Sequence, residues 1–183
     1  MKNKTLRPKD AATLILYKID GDELRVLLGQ RHKGHIFMPN AYVFPGGRVN
    51  SVDSRVRPSS SLKADVLAKL ERAANPARAR AIAVAAIRET YEETGLLIAR
   101  NINKEKIWHM NIGPKLGEIN YFFRAITPPN RVRRFDARFF FADASVANGT
   151  LGGDGELTNL DWFSLEQIRD LEMAGITRIA LAE

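Results

Sequence analysis

The segment RETYEETGLL, residues 88–97, crowds three glutamates into five positions, behind an arginine and ahead of a glycine. At 3.6 residues per turn, Glu89, Glu92 and Glu93 are i, i+3 and i+4 neighbours on one side of a helix. Like charges at that spacing repel, and these sit in the last turn, where the helix dipole disfavours anions. Arg88 supplies one positive charge against three. The residues AVAAIRE just before are mostly small and apolar, so the helix is expected to be packed and its acidic end fixed. A solvated acidic face is the plain alternative. A hard divalent cation is the chemical one. Mg²⁺ takes oxygen ligands, keeps waters that it can activate, and is often shared with substrate phosphates.

The rest of the chain alternates short strands with few helices. AATLILYK (11–18) and LRVLLGQ (24–30) read as strands joined at an Asp-Gly turn, and AYVF (41–44) as a third stopped by Pro45-Gly46-Gly47. Residues 50–61 read as loop, and 62–74 as a helix with Leu62, Val66, Leu67 and Leu70 on one side. Asn75-Pro76 breaks it before the long helix, about Ala77 to Thr94, for which Gly95 is placed as a left-handed cap. Residues 119–126, 134–144 and 155–163 read as strands. Ser164 opens a short helix with Gln167 in capping-box position, and Gly175 is expected to close it. Strands, one long helix, more strands and a short helix make an α+β sandwich rather than a doubly wound sheet.

Composition narrows the function classes. With 183 residues and 45% hydrophobic content, one globular domain is the default. The absence of cysteine excludes disulfides, thiolate metal sites and thiol catalysis. No apolar stretch approaches a membrane span, and the N-terminal apolar run is too short for a signal peptide, so a cytoplasmic location is expected. A net charge of +7 favours anionic partners such as phosphorylated metabolites. Aromatic-basic interleaving of the kind that binds nucleic acid is missing, so nucleic acid is disfavoured.

The segment 88–96 resembles the core of the Nudix box, G-x5-E-x7-R-E-U-x-E-E-x-G-U with U an apolar residue. Arg88, Glu89, Glu92, Glu93, Gly95 and Leu96 all match, while Thr90 falls at the first U. VFPGG (43–47) resembles the strand and loop that opens the box, and the outlying strands resemble the remainder of such a domain. The resemblance implies a Nudix-type α/β/α sandwich with a mixed sheet, spanning residues 1–183.

One departure is large. Gly47 and Arg88 stand 41 positions apart, where the pattern spaces them by 14. A helical insertion of about residues 50–76 inside the box is therefore expected, similar to a branch that includes enzymes acting on coenzyme A compounds. The first box glutamate is displaced as well. Counting back from Arg88 gives Arg80, while counting forward from Gly47 gives Asp53, a shorter acid.

By resemblance, Glu89, Glu92 and Glu93, with backbone oxygen at Gly47, would hold Mg²⁺ or Mn²⁺. Arg88 would orient the acids, and Glu89 would ligate or take a proton. Glu118, Asp154 and Glu156 are weaker candidates for a general base outside the box. Arg134 and Arg138, four apart on a strand and so on one face, could clamp a substrate phosphate, with a plain ion-paired face as the alternative. Arg31, in RHKGH, could contact phosphate too. A zinc site at His32 and His35 is a weak signal. Trp108 and Trp162 could stack on a base, or serve core or dimer contacts.

The expectation is a metal-dependent hydrolase of a diphosphate linkage in a nucleoside diphosphate derivative. Its alternatives are a coenzyme A or acyl-coenzyme A diphosphatase and, in another class, a non-catalytic Nudix-fold nucleotide sensor. An isopentenyl diphosphate isomerase is disfavoured by the missing cysteine. A homodimer is compatible with the family, although no dimer seam can be read from the sequence.

Overall fold

The computed structural model describes residues 6–32, 34, 39–100 and 113–183. Lys33, His35, Trp108 and His109 lie outside the described residues. Strands β1 (Lys9–Asp20) and β2 (Glu23–Arg31) form the expected hairpin, with Asp20 opposite Glu23. Gly21 turns it at φ +64°, a conformation that side chains resist.

The main sheet is mixed. β1 lies antiparallel to β2 and parallel to β7 (Phe135–Asp143), which pairs antiparallel with β6 (Asn120–Ile126). β2 also pairs with β3 (Tyr42–Val43) and with β9 (Leu157–Ser164). The run Pro45-Gly46-Gly47 does not simply end a strand. Gly46–Arg48 forms β4, antiparallel to Ala11–Thr13 of β1, because glycine permits the close approach this pairing needs. A second, two-stranded sheet joins β5 (Leu96–Leu97) to β8 (Asn148–Gly149).

Helices cover both faces. Alternate residues of β1 and β7 (Ala12, Leu14 and Leu16; Phe140 and Ala142) pack with α1 (Ala64–Glu71) and α2 (Pro76–Thr94). Ile15, Phe139 and Phe141 point the other way, to Ile168 of α3 (Leu165–Arg169) and Ala180 of α4 (Gly175–Ala182). The architecture is the expected α+β, α/β/α sandwich.

Local signals set the ends of α2. The Asn75 side chain accepts from the Arg78 N–H at 2.9 Å and Pro76 occupies the first turn. At the other end Gly95 adopts φ +76° and donates to the Tyr91 carbonyl. Ala79, Ala81, Ala83, Ala85 and Ala86 are buried, so α2 is enclosed on most sides and small side chains let its neighbours approach. Gly175 does not close a helix: α3 stops at Arg169 and Gly175 opens α4, a helix that the local pattern does not separate. The Ser164–Gln167 capping box forms as expected.

Candidate active site at the end of α2

The acidic turn of α2 lies against β4. Gly46 donates its backbone N–H to Glu93 Oε2 at 2.8 Å. A Cβ at Gly47 would fall 2.5 Å from the Glu89 carboxylate, and one at Gly46 would fall 2.5 Å from the Ala12 carbonyl oxygen. Only glycine lets backbone lie this close to both β1 and the acids.

Arg88 stands in the middle, 3% exposed. Its Nε and Nη2 donate to the two oxygens of Asp53 at 2.7 and 3.0 Å. Nη1 donates to Glu89 Oε1 and Glu92 Oε2, each at 2.8 Å, and Nη2 also donates to the Arg48 carbonyl at 2.9 Å. All five guanidinium N–H donors are thereby used. Asp53 is fully buried and also accepts from the Asn50 N–H at 2.7 Å, which closes its loop. The acid six positions after Gly47 thus holds the arginine, whereas Arg80 is exposed and donates to the Ser54 carbonyl.

These contacts set the electrostatics. Burial pulls the Arg88 guanidinium toward neutrality, but the Asp53 hydrogen bond and the charges of Glu89, Asp53 and Glu92 outweigh it and hold it above its ordinary value. Burial also raises Glu89, against the opposing pull of Arg88. Glu93 is pushed by burial to about 8, partly offset by the Gly46 N–H. Glu89 and Glu156 add to that rise, while Arg31 opposes it. A buried carboxylate of this kind gains from exchanging its proton for a cation.

The loop before β9 completes the site. Asp154 donates its N–H to the Glu92 carbonyl at 2.9 Å, and its side chain accepts from the Glu156 N–H at 2.9 Å. His32 donates its backbone N–H to the Glu156 carbonyl. His32, Gly34, Asp154, Gly155 and Glu156 border a depression of about 340 Å³ that is widely open to solvent. Arg31 and Glu156 act on Glu93 and Asp154 holds the Glu92 carbonyl, while Glu118 ends a single turn whose Gly117 N–H donates to Ser60 Oγ.

The two strand arginines have other employment. Arg134 precedes β7 and donates to the carbonyls of Thr127 and Leu6. Arg138 is 2% exposed and donates to Asp10 Oδ1 at 2.6 Å and to the Asp136 carbonyl at 2.8 Å. A shared, open strand face for a phosphate is not what forms: the Arg138 face points inward, toward α2, where Arg78 also contacts Asp10. Trp162 is half-buried, with the Lys18 ammonium 5.2 Å from its ring centre.

The donor chemistry fits a hard divalent cation, since the acids and the β4 backbone offer oxygen alone. Among the described residues, however, no three acidic or histidine side chains converge on one point. Glu89 and Glu92 both face Arg88 instead. Sequence reasoning missed the backbone donors, Gly46 to Glu93 and Asp154 to the helix end. The glycine-rich string LGGDGE was the available signal for the second.

Residues 66–182 match the NUDIX domain family, so the chain belongs to that family. The expected membership of the Nudix superfamily stands with this match. Similar solved structures include a NUDIX hydrolase from Alicyclobacillus acidocaldarius, 24% identical with a TM-score of 0.70, covering 96% of this chain and 90% of the other. A MutT NUDIX hydrolase from Burkholderia pseudomallei is 19% identical with a TM-score of 0.58, covering 97% and 98%. The NUDIX domain of Shewanella oneidensis NrtR, complexed with ADP ribose, is 12% identical with a TM-score of 0.58, covering 100% and 90%. At these identities the likeness is one of fold. No curated protein sequence matches the chain significantly.

Proposed function

We propose that this chain hydrolyses a diphosphate linkage in a nucleoside diphosphate derivative, using Mg²⁺ or Mn²⁺ at the acidic end of α2. The observation that carries the reading is the arrangement around Arg88. A buried, fully engaged arginine fixes Glu89 and Glu92 beside a buried Glu93 and against the Gly46–Gly47 backbone. The cation, when bound, supplies charge stabilisation on the phosphoryl oxygens and an activated water.

The chain's own residues do the rest. Glu93 and Glu89, with backbone oxygen at Gly47, would hold the ion, and Glu92 would join from the more exposed rim. Arg88 keeps Glu89 and Glu92 from moving apart, and Asp53 keeps Arg88 charged and in place. Arg31, whose charge acts on Glu93, would meet substrate phosphate. Asp154 and Glu156 border the adjoining surface depression, and either would take a proton from water. Residues 1–183 would form one such domain, with residues 50–76 inserted between the box glycines and α2.

The nucleoside diphosphate class is supported by the ADP ribose bound to the Shewanella domain of this fold. The inserted segment keeps coenzyme A derivatives as the second substrate class. A screen with Mg²⁺ and with Mn²⁺ against ADP-ribose, NADH, dinucleoside polyphosphates, nucleoside triphosphates and coenzyme A tests the reading by product analysis. Cleavage of a diphosphate in one compound supports it. Tight nucleotide binding without cleavage would instead favour a sensor.

A further inference from the structure

The last turn of α2 leaves carbonyls that no residue within the helix can satisfy. Here a distant loop satisfies two of them. Gly152 donates to the Thr94 carbonyl and Asp154 to the Glu92 carbonyl, both at 2.9 Å. Gly149 of β8 is paired with Leu96, immediately after the helix, so the loop enters in register with the helix end. Its path is tight. At Gly153, φ is +134° and a Cβ would lie 2.2 Å from the Glu93 carbonyl oxygen. At Gly149, φ is +127° and a Cβ would lie 2.2 Å from the Gly95 oxygen.

We propose that residues 149–154 are a positioning element of the active site, with Gly153 its critical residue. The element acts through the backbone. Its N–H groups neutralise the negative end of α2 where Glu92 and Glu93 project, and so fix the last turn that bears them. The same stretch of chain carries Asp154 and Glu156 to the open depression beside the acidic turn. One loop therefore sets the distance between the acids of α2 and the acids across from them. Any side chain at 153 must lift the loop from the Glu93 carbonyl and loosen both sets together.

This inference rests on the cation-binding reading given above, and its test separates the two. The measurement is Mn²⁺ affinity of the full chain by electron paramagnetic resonance, for wild type, Gly153→Ala and Ile168→Ala. Amide hydrogen exchange at Gly152 and Asp154 is followed in parallel. Ile168 packs in the opposite core layer and serves as a destabilised control remote from the loop. Gly153→Ala is expected to exchange faster at both amides and to bind Mn²⁺ roughly tenfold or more weakly, the scale typical for supports of metal ligands. Ile168→Ala is expected to keep wild-type affinity. If wild type takes up no Mn²⁺, the site reading is overturned and this inference falls with it. If wild type binds and Gly153→Ala binds equally well, the positioning role alone is overturned. That role is overturned as well if Ile168→Ala loses as much affinity as Gly153→Ala. Should Gly153→Ala not fold, Gly149→Ala, on the same path, replaces it under the same criteria.

Discussion

Arg88 and Asp53 are joined by two short hydrogen bonds across 35 positions of sequence, and both are almost wholly inaccessible to water. The pair ties the loop after β4 to the acidic turn of α2. Breaking one partner of a buried pair strands the other's charge, which typically costs about 3–5 kcal/mol. Asp53→Asn is expected to lose stability on that scale in urea unfolding, and to lose activity in the fraction that remains folded. A shift of only a few tenths would mean that the pair does not organise the site.

The two glycines of β4 should fail differently when given a side chain. At Gly46 the new Cβ meets the backbone of β1, which cannot yield, so Gly46→Ala is expected to cost about 1–3 kcal/mol of stability or more. At Gly47 it meets the end of the Glu89 side chain, which can swing away. Gly47→Ala should therefore melt near wild type and yet lose on the order of 10²-fold in kcat, the scale of a misplaced catalytic group. Thermal melts beside steady-state kinetics check both.

Glu93 imposes a pH dependence on the metal-free protein. Its folded pKa is raised from the ordinary 4.5 to about 8, so between those values the folded state binds more protons than the unfolded state. Its contribution is fully present below about 4.5 and is lost as pH rises to about 8. In chelator-containing buffer, the stability of Glu93→Gln relative to wild type should thus increase from pH 5 to pH 8. Metal affinity should rise over the same interval as the competing proton leaves. Calorimetric melts and Mn²⁺ titrations at several pH values measure the two trends.

On the proposed reading, Arg138 serves the structure and Arg31 the substrate. Arg138→Met should destabilise the fold by about 3–5 kcal/mol, because Asp10 and Asp136 lose a buried partner, while KM stays near wild type. Arg31→Ala should raise KM. A KM rise confined to Arg138→Met would reverse the assignment.

Much of this architecture could be read locally. The ends of α2 follow from Asn75, Pro76 and Gly95, and the first hairpin from Gly21, because caps and turns depend on neighbouring residues. That Glu89, Glu92 and Glu93 share one side of the end of α2 was legible for the same reason. Gly175 misled because glycine suits both the exit and the entry of a helix, and only the packing of α4 decides which. The parallel pairing of β1 with β7 and the inward turn of Arg138 toward Asp10, 128 positions away, depend on tertiary contacts that no local pattern states. The backbone donor at Gly46 escaped notice because a main-chain N–H group leaves no mark of its own in a sequence, and the one at Asp154 was signalled only by the glycines around it.

If the acidic end of α2 is a catalytic metal site, diphosphate cleavage must depend on Glu93. The direct test is the rate of that cleavage with saturating Mn²⁺, comparing wild type with Glu93→Gln on the best substrate from the screen. The expected outcome is a loss on the order of 10³-fold or more in kcat for a variant that remains folded, the scale for removing a group that holds transition-state charge in place. Equal rates for the two proteins would contradict it.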